Sequence, residues 1–128
     1  MPEKTLEQKM LESKVWAVIG ASDNPDKFGN KTYRMLKDKG YTVYPVNPVK
    51  ENICGDKCYR SISSLPQKPD VLNMVVAPEI GLSVIEEAAA LGVKNIWLQP
   101  GTYNQELLNL IGEKGLNHVL NCVLVCLG

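Results

Sequence analysis

Neither sign of charge predominates in this 128-residue chain, where 14 basic side chains are matched by 14 acidic ones. Nucleic acids and anionic membrane surfaces attract an excess of Lys and Arg, so neither is the expected partner. Long apolar runs are also missing. Stretches such as Val71–Pro78 are broken by Asn73 and fall far short of the roughly 20 residues that cross a bilayer. Met1 to Lys14 mixes Glu and Lys with scattered apolar positions and has no apolar core of signal-peptide type, so a cytoplasmic location is expected. No C-x-x-C pair occurs. Cys54/Cys58 and Cys122/Cys126 are spaced more widely, and the second pair falls in an apparent strand. Residues four apart on a strand lie roughly 13 Å from each other, too far to share a metal. Disulfides are unexpected as well, so the thiols read as structural or incidental and no metal is assigned.

What is present is an alternation of short apolar runs with helical patterns. Leu6, Met10 and Leu11 mark a short amphipathic helix within residues 1–14, and a core follows over residues 15–123 of one domain spanning 1–128. Strands are expected at Val15–Ile19, Tyr41–Val46, Val71–Val76, Asn95–Leu98 and Val119–Leu127. A helix from Asn30 (its N-cap) to Lys39 stops at Gly40, and another carries Ile80, Val84, Ala88 and Leu91 before Gly92. Thr102 and Gln105 form a capping box for a third, with Leu107, Leu108 and Ile111, ending near Gly115; Ser61–Leu65 suits one helical turn. Strands that alternate with helices and are apolar on both faces predict an α/β, doubly wound, Rossmann-like sheet of five parallel strands, with order 3-2-1-4-5 leading.

Such sheets bind ligands beyond the carboxyl ends of their strands. The loop after the first strand is the sharpest candidate. Gly20 permits a tight turn, Ala21 and Ser22 let a phosphate approach the backbone, and Gly29-Asn30 opens a helix whose N–H groups favour an anion. Ser22 can donate from its hydroxyl, and Lys27 and Lys31 can neutralise charge. The spacing is not G-x-G-x-x-G, and no acidic residue closes the second strand to hold a ribose hydroxyl, which disfavours NAD. That strand ends Pro45-Val46-Asn47-Pro48 with Lys50 just beyond. A lysine there suits an additional ribose phosphate, as in coenzyme A or NADP, or is simply a solvated loop residue.

Taken together, Val18-Ile19-Gly20-Ala21-Ser22 followed by Gly29, and Gly40-Tyr41-Thr42-Val43-Tyr44-Pro45-Val46-Asn47-Pro48, resemble the small CoA-binding proteins. These are similar to the CoA-binding domain of the succinyl-CoA synthetase α subunit and of ADP-forming acyl-CoA synthetases. Gly55, Tyr59, Ser61, Leu65, Asp70, Val76-Ala77-Pro78 and the run Gly92–Gly101 carry the resemblance onward. It implies bound CoA with its diphosphate over Gly20, Ala21, Ser22 and the Gly29-Asn30 helix start. Its adenosine would lie near Val46, Asn47, Pro48 and Lys50 with Tyr59 nearby, and Ala77, Pro78 and Gln99 would border it. The chain departs from the family pattern at Asn121-Cys122-Val123, where many relatives carry an Arg-Cys pair.

A catalytic set is not evident. His118, the single histidine, precedes the last strand at the end opposite the loops and reads as a surface residue. Glu79 opens a helix and suits its dipole. Cys54 and Cys58 lack a neighbouring base, and Trp16 and Trp97 read as core. The leading reading is a CoA or acyl-CoA binding module without catalysis, with a protein partner or homodimer left open. An NADP- or other nucleotide-dependent enzyme and a CoA-responsive regulatory partner are the alternatives.

Overall fold

The computed structural model describes residues 3–128. Apolar runs and amphipathic helices alternate as α1 (Leu6–Glu12), β1 (Val15–Ile19), α2 (Phe28–Asp38), β2 (Thr42–Val46), β3 (Asn52–Ile53), β4 (Asp56–Lys57), a 3₁₀ turn (Ile62–Ser64), β5 (Val71–Met74), α3 (Pro78–Leu91), β6 (Asn95–Leu98), α4 (Gln105–Glu113), β7 (Asn117–Leu120) and α5 (Val123–Leu127). Five strands form one parallel sheet in the order β2-β1-β5-β6-β7. In terms of the strands expected from sequence this is 2-1-3-4-5, which corrects the order 3-2-1-4-5. The reason lies in β5. All of Val71–Met74 is buried, a demand that an edge position beyond β2 would not meet. β5 instead pairs directly with β1, Val18 opposite Asn73 and Ile19 opposite Met74. The long connection after β2 gives the chain room to pass β1.

Alternate strand residues feed two cores. Ala17, Ile19, Leu72, Met74, Ile96 and Leu98 meet Ile85 and Ala88 of α3 and Leu107 and Ile111 of α4. Trp16, Val18, Val71 and Trp97 meet Met10, Tyr33, Leu36 and Val123 from α1, α2 and α5. Trp16 and Trp97 pack at a tilt of 56° with ring centroids 5.7 Å apart. Each indole N–H is satisfied at 2.9 Å, by the carbonyl oxygens of Ser13 and Asn121 respectively, as buried tryptophans require. No helix among the described residues is long and apolar enough to cross a membrane.

Three further differences from the sequence pattern have local causes. The last strand stops at Leu120 and the chain turns into α5, so Cys122 and Cys126 lie one helical turn apart, joined by a backbone bond of 3.1 Å, rather than along a strand. Asn121 makes the turn: its Oδ1 accepts from the Cys122 N–H at 2.7 Å while its Nδ2 donates to Glu7. α4 is capped by Asn104, which accepts from the Leu107 N–H at 2.9 Å, not by Thr102, whose hydroxyl donates to the Gln99 carbonyl. The stretch after β2 holds an unanticipated hairpin, β3–β4, turned by Cys54 and Gly55 at φ 53° and 80°. That pair of positive angles suits a tight two-residue turn, where glycine is at ease and cysteine is strained.

Candidate functional site

β1 and β5 are adjacent, yet their following helices leave to opposite faces, α2 to one and α3 to the other. The crevice at such a switch point is where open α/β sheets hold ligands. Its floor is the loop leaving β1. Gly20 has φ 96°, and a Cβ there would sit 2.7 Å from the Val75 carbonyl oxygen. A Cβ on Gly29 would lie 2.0 Å from the Gly20 carbonyl oxygen. Only glycine at both positions lets α2 begin directly on this loop. The helix starts at Phe28, with Lys27 rather than Asn30 as N-cap, and no side chain caps it. The N–H groups of Phe28 and Gly29 and the positive dipole end are therefore free for an anion, while the Asn30 N–H donates to the Lys27 carbonyl oxygen at 3.1 Å.

The loop is held by its neighbours. The N–H groups of Gly20 and Ala21 donate to the Val46 carbonyl oxygen at 3.0 and 3.3 Å. Asn47 donates to the Ala21 carbonyl oxygen at 3.0 Å, and its Oδ1 accepts from Val49 and Lys50 at 2.9 and 3.3 Å, folding the β2 tail. Ser22 Oγ accepts from the Asn24 N–H at 3.0 Å. Asn30, buried inside the first turn of α2, donates to the Ser22 carbonyl oxygen at 3.0 Å and to Cys54 Sγ at 3.4 Å; its Oδ1 is buried without a partner. Asp23 accepts from the Cys54 N–H at 3.1 Å, which seats the β3–β4 turn against the loop. Lys27 and Lys31 are exposed, the latter 5.7 Å from the Phe28 ring centre, and Lys50 lies 3.9 Å from Asp23 Oδ2.

Beside this loop opens a cleft of about 320 Å³. Ile19, Val46, Ile62, Val76, Ile80 and Val84 form its apolar walls, and Gly20, Pro48, Arg60, Ser61, Ser83 and Glu87 complete it. Glu87 fixes one wall: its carboxylate accepts from the Ile62 N–H at 3.2 Å and the Ser63 hydroxyl at 3.3 Å, pinning the 3₁₀ turn to α3. Ala77 and Pro78 open α3 between the wall residues Val76 and Ile80.

Of the residues expected from sequence, Gly20, Val46 and Pro48 line the cleft, while Ala21, Ser22, Lys27, Gly29, Asn30, Asn47 and Lys50 build the adjoining loops. Two are turned elsewhere. Tyr59 packs edge-on against Tyr44, centroids 5.8 Å apart, in a separate depression on the outer side of β2. Gln99 is buried and spends its amide on α5, accepting from the Val123 N–H at 2.8 Å and donating to Cys122 Sγ at 3.4 Å. Arg60, Ser83 and Glu87 were not anticipated. The spacing of Ile80, Ser83, Val84 and Glu87 along one face of α3 was a readable signal for the latter two, whereas nothing in the local sequence marks Arg60. Cys58 is buried, which pushes its thiol pKa up, and it donates weakly to the carbonyl oxygens of Asn47 and Tyr59; it is no activated nucleophile. The arrangement offers anion-binding backbone next to an apolar slot.

The sequence pattern described as a CoA binding domain matches residues 14–128. The uncharacterized protein YneT of Bacillus subtilis is 30% identical over 126 residues, covering 97% of this chain and 93% of that one. The α subunit of an ADP-forming acetate–CoA ligase from Pyrococcus furiosus is 37% identical over 81 residues, which is 62% of this chain but 18% of the subunit. The chain thus spans less than a fifth of that ligase subunit's length. A solved structure of a conserved hypothetical protein from Pyrococcus furiosus superposes with a TM-score of 0.82 at 40% identity, covering 88% of this chain and 97% of that one.

Proposed function

The chain belongs to the CoA-binding domain family, and from that premise we propose that it binds coenzyme A or an acyl-CoA at the carboxyl edge of its sheet without transforming it. The observation that carries this reading is the approach of Gly29 to Gly20, which leaves bare backbone under an uncapped helix start. The diphosphate lies over Gly20, Ala21 and Ser22 at the head of α2, with Lys27 and Lys31 adding positive charge. The adenosine end lies toward Val46, Asn47, Pro48 and Lys50, and Ala77 and Pro78 border the ligand across the switch point. The apolar cleft of about 320 Å³ is of the size and character of small-ligand sites.

What the site does to its ligand is positional. The N–H groups of Ser22, Phe28 and Gly29, which have no partner among the described residues, hold the phosphates together with the lysines, since those of Gly20 and Ala21 are spent on Val46. The valine and isoleucine walls exclude water from the adenine ring. No histidine approaches the site: His118 stands exposed in β7, paired with Ile96. On this reading the chain is a CoA-holding module of the cytoplasm, acting alone, as a homodimer or on a partner protein.

Isothermal titration of the ligand-free protein with CoA, dephospho-CoA, NADH and NADPH tests the reading. Binding of CoA in preference to the nicotinamide cofactors is the expected result. Preference for NADPH points to a nucleotide-dependent enzyme instead, and no binding at all points to a regulatory role exerted through a partner.

A further inference from the structure

We propose that Arg60 is a specificity-determining residue of this site, its guanidinium holding the phosphate carried by the ribose of the bound nucleotide; this rests on the CoA reading above. The first argument is position. A parallel bridge joins Val46 to Tyr59, with the Tyr59 N–H donating to the Pro45 carbonyl at 3.0 Å and the Asn47 N–H to the Tyr59 carbonyl at 2.9 Å. Arg60, the next residue, is thereby brought to the cleft beside Val46 and Pro48. The end of β2 is where sheets of this kind read the ribose, with an acidic side chain for a free hydroxyl and an arginine for a phosphate. No acidic residue stands in Asn47-Pro48-Val49-Lys50.

The second argument is free charge. Lys50, the residue expected from sequence to meet that phosphate, lies 3.9 Å from Asp23. Four side-chain ion pairs occur among the described residues, and none engages Arg60. The one carboxylate on the cleft, Glu87, is taken up by Ile62 and Ser63. Arg60 lines the apolar slot with no hydrogen bond or ion pair to its side chain among the described residues, and a guanidinium is a fork suited to two oxygens of an anion, a geometry that phosphate supplies. In coenzyme A that anion is the ribose 3′-phosphate, which dephospho-CoA lacks.

The experiment is titration of CoA and dephospho-CoA into the full chain and its R60Q, R60K and K94A variants. Lys94 lies at the opposite edge of the sheet, ahead of β6, and controls for net charge. The expected result is that R60Q weakens CoA about tenfold while changing dephospho-CoA by less than about twofold, as loss of a charged hydrogen bond predicts. R60K recovers part of the loss, K94A changes neither ligand, and added salt narrows the preference for CoA in the unaltered chain. An unchanged ratio of CoA to dephospho-CoA affinity in R60Q overturns the role of Arg60 while leaving the CoA reading intact. An unaltered chain that binds neither ligand overturns both.

Discussion

Gly29 approaches Gly20 so closely that a methyl group on the one would lie 2.0 Å from the carbonyl oxygen of the other. The obstructing atom is backbone, itself fixed by the Gly20 N–H bond to Val46 at 3.0 Å, so no flexible side chain can yield. Gly29→Ala therefore forces α2 away from the loop. The expected cost is about 1–3 kcal/mol of stability, typical of overpacking, together with loss of CoA binding. Thermal melting and titration of the same sample check both, and a variant that melts and binds as the parent does contradicts the geometry.

Gln99 gives the opposite pattern. Its buried amide serves α5 through Val123 and Cys122. Gln99→Leu strands the Val123 N–H, which costs about 1–3 kcal/mol, and loosens the carboxyl-terminal turn. Hydrogen exchange is expected to show faster exchange at Val123. A selective loss of CoA affinity with unchanged stability would instead return Gln99 to the ligand.

Stability at low pH depends on Asp56. Bonds from Lys37 and Tyr33 hold its carboxyl below the usual range. A carboxylate with a depressed pKa in the folded state stabilises above its unfolded pKa, and that contribution disappears as pH falls through the folded value. Asp56→Asn should lower stability at pH 7 by about 0.5 kcal/mol, as befits a partly exposed pair, with the difference from the parent vanishing in acid. Denaturant melts at pH 7 and in acid read this directly; a constant difference excludes it.

The four thiols should react unequally. Cys54 is exposed in the turn seated on the first loop. Burial raises Cys58, and burial together with the hydrogen bond to Glu7 pushes Cys126 up to about 11. At pH 8 both remain protonated and slow. A chromogenic disulfide is expected to modify Cys54 first, a phase that Cys54→Ser removes and bound CoA retards. A fast phase that survives Cys54→Ser contradicts the assignment.

The elements legible in the sequence are those with a strong period or a punctuating residue. β1, β6, α3 and the Gly40 and Gly92 stops appear within about two residues of their observed places because apolar runs and positive-φ glycines mark them locally. The loop Gly20–Asn30 was legible only in part: the positive φ of Gly20 is a local need of the turn, whereas the helix start at Phe28 rather than Asn30 and the closeness of Gly20 to Val75 depend on how the loop packs. The run Val119–Leu127 was not legible, because the five apolar residues Val123–Leu127 fit a buried strand or a short packed helix alike. The turn at Asn121 settles it through contacts with Glu7, far away in the chain.

Sequence alone determined the α/β class and the parallel sheet, and pointed to the loops at its carboxyl edge as the candidate site, because alternating periodicity and small-residue loops are properties of neighbouring residues. Tertiary structure alone decided the strand order, the assignment of Gln99 to α5 and the arrival of Arg60 beside Val46 and Pro48. Each depends on which distant segments share a surface: the four buried residues of Val71–Met74 are satisfied next to β1 rather than outside β2, and a backbone bridge from Tyr59 to Val46 brings a cation 14 positions after Val46 to the cleft.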